Sequence, residues 1–334
     1  MARTEKPLVA IIDWAKADLA DPAAVIEKRV IGKHATIKTF KCESDADFTG
    51  EIAQAEALIV WHNCTISAKG IAGLKRCRAL IRNGVGYDSV DTAAAAKLGI
   101  PVCNVPDYGT EEVADHAIAL ALALCRQIIP LDREAKNLKW TIPEPQKIRR
   151  LRGLIFGVIG MGRIGTAAAL RAKALGFDVC FYDPYLANGI DKAVGIRRVR
   201  SLDVLLKQSD VISLHCPLTA ETRYLIAERE LALLKPSAYV VNTSRGATIK
   251  KTAILAALRA GKIAGAGLDV VEDEPLRTRA EAAAPNLIVT CHAAFYSIES
   301  KEEMRATSAR IALAAVRGEP LENVVNGVVQ STHR

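Results

Sequence analysis

Residues 157–165 read GVIGMGRIG, and eighteen positions beyond Gly165 the run FDVCFYD closes on Asp183. Few folds accept that combination. The apolar run LIFGVI before the glycines reads as a buried strand, a helical pattern over 163–175 follows, and a second strand carries the acid. Gly160 permits the tight turn, Gly162 lets the backbone approach a pyrophosphate, and Gly165 lets helix and strand pack closely. The helix opens at Arg163 and Ile164, and its N-terminus presents unpaired N–H groups to phosphate. The Asp183 carboxylate can accept hydrogen bonds from adenosine ribose hydroxyls and would repel a 2′-phosphate, which predicts NAD in preference to NADP. Three glycines alone could be a packing turn; the strand, helix and acid in register make them a nucleotide site.

The rest of the chain alternates strand and helix patterns. A first series of apolar runs lies at 8–12, 36–40, 57–61, 79–81 and 101–103. A second lies at 154–159, 178–182, 211–215, 239–242, 263–268 and 287–290. A long helical pattern over about 111–129 divides the two, and another over about 298–317 follows the second. Parallel strands need crossover helices, so this alternation predicts an α/β protein with two doubly wound parallel sheets. Ligands bind such sheets at the carboxyl ends of the strands.

With 334 residues the chain suggests about two domains, and half of it is apolar. Its 45 basic and 37 acidic residues give a net charge of +8, clustered locally at 147–152 and 197–200. Aromatic residues are only 5% and do not interleave with the basic ones, so no nucleic-acid partner is expected. The eight cysteines form no CxxC pair; Cys103, Cys180 and Cys291 sit in strand-like runs and read as reduced core residues, with no metal site. The start MARTEK leads straight into a strand pattern, and AIALALALC at 117–125 is too short to span a bilayer. A cytoplasmic protein with no membrane partner is the expectation.

A second group of residues carries chemistry. VVNTSRG places Arg245 just after one strand, GAGLDVVEDEP places Asp269 and Glu274 after the next, and TCHAAFYS places His292 after the following one. All would lie at the carboxyl edge that holds the nucleotide. Arginine is a permanently charged fork matched to a carboxylate. Histidine exchanges a proton with a carbonyl or hydroxyl oxygen near neutral pH, and a neighbouring carboxylate orients the ring and favours its charged form. Singly, Arg245 could be a surface ion pair, Glu274 a turn residue and His292 a buried structural histidine. After successive strands of a nucleotide fold, the three together suit hydride transfer to a 2-oxo acid.

At this point the chain resembles the D-isomer-specific 2-hydroxyacid dehydrogenase family. The resemblance is carried, in the family's order, by NGVGYDSVD, CNVPDYGTEEVADH, GVIGMGRIG, HCPLTAET, VNTSRG, GAGLDVVEDEP and CHAAFYS. Within the family, HAAFYS, VWHNCTI and the ADH after TEEV are most similar to the branch containing the C-terminal binding proteins. The resemblance implies that Arg245, Glu274 and His292 are catalytic and that Asp269 holds the nicotinamide carboxamide. Cys216, Pro217, Thr222 and Thr243 would line the cofactor groove, and backbone N–H groups of Gly84, Val85 and Gly86 would hold the substrate carboxylate. His62, Arg82 and Phe295 would face the substrate; Phe295 stands where that branch has a tryptophan. The nucleotide domain would be an insertion over 106–296, with crossings near Pro106 and Tyr296. The substrate domain would be 1–105 plus 297–334. A homodimer with an arm beginning at the helix from Glu111 is also implied, with Trp140 at the arm's end either packing on its own arm or reaching the partner's site.

Other readings stay open on sequence alone. An NAD(H)-sensing corepressor-like protein would keep the same three residues, though the short ending at VVQSTHR weighs against it. Within the enzyme class, a short phosphoglycerate dehydrogenase or a glyoxylate/hydroxypyruvate reductase would present the same motifs. Phosphite oxidation would require a lysine where this chain has Val85.

Overall fold

The computed structural model describes residues 6–15, 19–61, 64–142 and 148–329. In chain order the first elements are β1 (Leu8–Trp14), α1 (Val25–Ile31), β2 (Thr36–Cys42), α2 (Gly50–Ala53), β3 (Ala57–Val60), α3 (Ala68–Ala72), β4 (Ala79–Arg82), α4 (Thr92–Lys97) and β5 (Val102–Cys103). Then come α5 (Thr110–Cys125), α6 (Ile128–Lys136), β6 (Ile155–Ile159), α7 (Arg163–Ala174), β7 (Asp178–Tyr182), α8 (Ile190–Val194), β8 (Arg197–Arg198), α9 (Leu202–Gln208) and β9 (Val211–Leu214). The chain closes with α10 (Glu228–Leu233), β10 (Tyr239–Asn242), α11 (Lys251–Arg259), β11 (Gly265–Leu268), α12 (Arg279–Ala282), β12 (Leu287–Val289) and α13 (Ile298–Arg317). Two compact units result: Met1–Gly109 with Ser297–Arg334, and Thr110–Tyr296.

The first unit holds a five-stranded parallel sheet in the order β2-β1-β3-β4-β5. Its inner strands β1, β3 and β4 are buried on both faces, as a sheet covered by helices on each side requires, while the edge strand β2 exposes Thr36, Lys38 and Lys41. Ala10, Ile12, Leu58, Val60 and Leu80 pack with Phe48, Ile52 and Ile71 on one face. Against the other, α13 packs on β3, β4 and α1. Arg305 of α13 bonds Glu27 of α1 through two nitrogens, at 2.8 and 2.6 Å, and reaches Asp21 at 3.1 Å.

The second unit holds a seven-stranded parallel sheet in the order β12-β11-β10-β9-β6-β7-β8. Alternate residues of one strand serve opposite faces. Phe156 and Val158, Val211, and Tyr239 and Val241 meet α5 and α7, while Ile159, Ile212, Leu214 and Val240 meet α9, α10 and α11. Both sheets are therefore Rossmann-like and doubly wound. In the second, chain order reverses between β6 and β9, and such switch points leave a crevice at the carboxyl ends of the strands.

Three expectations need correction. The helix expected over 111–129 is two helices, because Gln127 adopts φ 54° between α5 and α6. A two-residue strand, Arg197–Arg198, occupies the basic cluster at 197–200 and forms the sheet edge beside β7. Cys291 is exposed in the loop after β12, while Cys103 and Cys180 are buried core residues. Among the described residues no single helix is long and apolar enough to cross a membrane; only the bent pair α5 and α6 meets the criterion, and α5 is largely buried.

Candidate nucleotide and hydride-transfer site

The glycine turn follows β6. Gly160 has φ +87°, and a Cβ there would stand 2.8 Å from the Cys216 nitrogen. At Gly165 a Cβ would stand 2.0 Å from the Gly160 oxygen, so only glycine lets α7 start that close to the turn. Gly162 caps α7, and an added Cβ would meet nothing within 4 Å. Open space thus lies in front of the N-terminus of a twelve-residue helix whose first residues are Arg163 and Ile164. Asp183, just past β7, accepts the Met161 N–H on Oδ2 at 2.9 Å and the Tyr185 N–H on Oδ1 at 3.0 Å. The acid therefore also holds the tip of the glycine turn, a function the spacing does not reveal.

Past β9, Cys216 is buried and its thiol is pushed up to about 11 by that burial, so it stays a neutral apolar wall. The next turn bonds to itself: the Thr222 hydroxyl donates to the Pro217 oxygen at 2.6 Å, and the Thr219 N–H bonds the Thr222 hydroxyl at 2.8 Å. Beyond β10, the Thr243 hydroxyl is buried with no hydrogen-bond partner among the described residues. His215, unassigned by the motif reading, lies under the glycine turn and bonds Ser213 Oγ through Nε2 at 2.8 Å. Burial lowers its pKa to about 4, which keeps the ring neutral.

Arg245, Glu274 and His292 follow β10, β11 and β12, three adjacent strands. Asn242 pins the first loop: its Nδ2 donates to the Arg245 oxygen at 3.0 Å and its Oδ1 accepts from the Ser244 N–H at 3.0 Å. Thr248 Oγ1 also donates to the Arg245 oxygen, at 2.7 Å, and the Arg245 Nη1 donates to the Ser244 oxygen at 2.8 Å. Gly246 is where this loop touches the next one. A Cβ there would lie 2.0 Å from the Val271 carbonyl, so any side chain would separate the Arg245 loop from the Glu274 loop.

The Glu274 Oε2 meets the His292 Nδ1 at 2.9 Å, and Glu274 Oε1 accepts the Val271 N–H at 3.3 Å. Both side chains are part-exposed. His292 adopts φ 55°, a left-handed conformation that costs energy in a residue with a Cβ. Asp269 holds it there. The His292 N–H donates to the Asp269 oxygen at 2.9 Å, and the buried Asp269 carboxylate accepts the N–H groups of Ala293 and Ala294 at 2.9 and 3.0 Å. Phe295 follows, half-buried and edge-on to Tyr296.

In the five-stranded unit, Arg82 ends β4 buried, with Nη1 donating to the Asn83 oxygen at 2.9 Å. Gly84 has φ +139° and gives its N–H to the Arg82 oxygen at 2.8 Å. The carbonyls of Gly84 and Val85 are taken by the Val105 N–H and the Asn104 side chain. Among the described residues, two donors of that loop, the N–H groups of Val85 and Gly86, thus remain instead of three. His62 lies outside the described residues.

Together the open approach at Gly162, the helix N-terminus, the unpartnered Thr243 hydroxyl and the Asp183 carboxylate fit a dinucleotide. An imidazole paired with a carboxylate, whose loop abuts the loop bearing an arginine, fits proton exchange with an anionic substrate. The class so defined is a dinucleotide-binding α/β protein with a histidine–carboxylate pair at the carboxyl edge of its sheet.

Comparison with known proteins agrees. Residues 118–294 match the NAD-binding domain of the D-isomer specific 2-hydroxyacid dehydrogenases. C-terminal-binding protein 1 of Caenorhabditis elegans is 32% identical over 325 residues, 94% of this chain and 44% of that protein. The glyoxylate reductase of Korarchaeum cryptofilum (strain OPF8) is 37% identical over 279 residues, 82% of this chain and 84% of that protein. The chain thus spans under half of the first relative and most of the second. Among solved structures, the D-lactate dehydrogenase of Aquifex aeolicus, complexed with NAD and lactic acid, superposes with a TM-score of 0.83. It is 30% identical, covering 93% of this chain and 96% of that one. The chain belongs to the D-isomer-specific 2-hydroxyacid dehydrogenase family, a class of NAD(P)-dependent oxidoreductases acting on 2-hydroxy and 2-oxo acids.

Proposed function

We propose that this protein reduces small 2-oxo acids to D-2-hydroxy acids with NADH, and catalyses the reverse oxidation with NAD. The observation that carries the reading is the 2.9 Å contact of His292 Nδ1 with Glu274 Oε2, on the loops after β12 and β11, the second of which abuts the Arg245 loop at Gly246. Bound NADH would supply the hydride to the carbonyl carbon. Arg245 holds the acid's carboxylate and polarises its carbonyl. His292, with Nδ1 committed to Glu274, gives a proton to the carbonyl oxygen from Nε2, and in oxidation takes it back. Gly160, Gly162, Arg163, Ile164 and Gly165 receive the pyrophosphate; Cys216, Pro217, Thr222 and Thr243 wall the groove; Asp269 holds the carboxamide. Asp183 holds the adenosine ribose and sets the preference for NAD.

We assign Thr110–Tyr296 as the nucleotide unit and the remainder as the substrate unit. Within the substrate unit the N–H groups of Val85 and Gly86 suit a carboxylate, and Arg82 and His62 are the candidates for selecting a side chain; within the nucleotide unit Phe295 is the corresponding candidate. Ile128, Ile129, Leu138, Trp140 and Ile142 are all strongly exposed along 128–142, and that apolar stretch supports a homodimer. A cavity of about 880 Å³ beside it, lined by Pro130, Leu131, Tyr239 and Leu258 among others, suits an apolar segment of a second copy. Eight free thiols, six of them buried, fit the reducing cytoplasm.

The test is a panel of glyoxylate, hydroxypyruvate, pyruvate and larger 2-oxo acids with NADH. Turnover identifies the acid. Tight NADH binding with no turnover on any of them would replace this reading with that of an NAD(H) sensor.

A further inference from the structure

The motif ADH, residues 114–116, has no part in the mechanism above, yet His116 reaches the catalytic loop. It projects from α5, which packs on β10, β11 and α7 and is further tied to α7 by Arg171 Nε donating to Asp115 at 2.5 Å. His116 Nε2 lies 2.9 Å from the Thr290 hydroxyl, and that hydroxyl donates to Asp269 Oδ1 at 2.5 Å. Thr290 has one hydroxyl hydrogen, and Asp269, an acceptor only, takes it. The Thr290 oxygen must then accept from His116, so Nε2 carries the hydrogen. The result is a directed chain from His116 through Thr290 to Asp269.

Asp269 is the acceptor at the far end. Its carboxylate has about four lone-pair sites. The Thr290 hydroxyl and the Ala293 N–H fill two on Oδ1, and the Ala294 N–H fills one on Oδ2. One site on Oδ2 remains for an amide N–H. The carboxylate is thus held in one rotamer, with one lone pair left to present, by donors that also fix the turn carrying His292.

We propose that His116 is a positioning residue for the nicotinamide half of the site: through Thr290 it fixes the orientation of the Asp269 carboxylate and the turn bearing His292. The proposal rests on the assignment of Asp269 to the carboxamide. A ring without the donor, as in His116→Phe, leaves the Thr290 oxygen without its hydrogen and loosens the chain. His116→Gln returns an N–H₂ group at similar reach.

NADH and ADP-ribose, which lacks the nicotinamide, are titrated against the parent protein, His116→Phe, His116→Gln, Thr290→Val and the Phe/Val double variant. NADH binding is to weaken about fivefold in His116→Phe, the size of one lost hydrogen bond, with ADP-ribose affinity unchanged. His116→Gln is to bind NADH within about twofold of the parent, and the double variant is to be no weaker than Thr290→Val alone. Parental NADH affinity in His116→Phe, a parallel loss of ADP-ribose, no rescue by glutamine, or additive losses in the double variant would each overturn the proposal. These readouts need no turnover. A parent protein that binds NADH but reduces no 2-oxo acid overturns the dehydrogenase reading instead, and the binding comparison still decides on His116.

Discussion

His292 and Glu274 stand eighteen residues apart in sequence, yet Nδ1 of one meets Oε2 of the other at 2.9 Å. Two separate restraints produce the contact. Asp269 holds the His292 backbone in its left-handed conformation through the turn that follows. The Val271 N–H holds the other oxygen of Glu274. A ring fixed at Nδ1 by a carboxylate has its second nitrogen set for proton exchange.

His292→Ala is therefore expected to bind NADH with parental affinity and to lose about 10²–10⁴-fold in kcat, the usual worth of a general acid. Fluorescence titration with NADH and steady-state reduction of the preferred acid read the two quantities separately. A variant with parental turnover would remove His292 from the mechanism.

Glu274→Gln keeps the shape but not the charge. A glutamine amide can turn either its oxygen or its N–H₂ group toward His292 Nδ1, so the ring is no longer held with Nδ1 committed as a donor and Nε2 set for proton exchange. The expected result is a loss on the order of 10²-fold in kcat with NADH affinity unchanged. Fluorescence titration with NADH and steady-state turnover read the two quantities; parental kcat in the variant would show that the carboxylate does not act on the ring.

Gly246→Ala tests how the arginine is placed. The added methyl would stand 2.0 Å from the Val271 carbonyl, so the loops after β10 and β11 must part. Displacement of about 1 Å at a catalytic group can cost on the order of 10²-fold in rate. The expected result is a loss of that size in kcat/KM for the 2-oxo acid with unchanged melting of the fold and near-parental ADP-ribose binding. Equal kcat/KM would mean that the contact between the loops is dispensable.

Much of this site was legible in the sequence because each element announces itself locally. The strands are short apolar runs, and Arg245, Glu274 and His292 each sit in the loop that follows one. What was not legible depends on partners far along the chain. The break after α5 has no glycine to mark it; Gln127 takes φ 54° there and donates to Tyr239 Oη, 112 residues on. The strand Arg197–Arg198 is two arginines whose only strand signal is pairing with Cys180 and Phe181. The need for glycine at 246 comes from the backbone at 271, and the role of Thr290 comes from His116, 174 residues earlier. The spacing that located Asp183 gave its place at the strand end but not its bond to Met161.

That bond shapes the prediction for Asp183→Ala. The carboxylate, proposed above to hold the ribose, also accepts the Met161 and Tyr185 N–H groups. Its removal should weaken NADH binding about 10–100-fold, the worth of charge-assisted hydrogen bonds, and weaken NADPH far less because repulsion of the 2′-phosphate goes with it. The ratio of kcat/KM values for the two cofactors is the readout. A ratio that does not change would place cofactor selection elsewhere.

Asp210 bears on stability at the opposite edge of the same sheet. It opens β9 buried, accepts the Ile155 N–H at 2.9 Å, and pairs with Arg149 at 3.1 Å and Lys235 at 3.0 Å. Burial raises its pKa, but the Ile155 N–H and the Lys235 and Arg149 charges outweigh that and hold the carboxyl below its ordinary value. A depressed folded-state pKa stabilises the fold above the unfolded value near 4, and the contribution is lost as pH falls through the folded value. Arg149 is largely exposed, so the pairs are partly screened, and Asp210→Asn should cost about 1–3 kcal/mol at pH 7. Urea unfolding at pH 7 and near pH 3 checks the sign: the gap between variant and parent should narrow at the lower pH. A gap that is constant or wider there would show that the Asp210 charge does not carry the stabilisation.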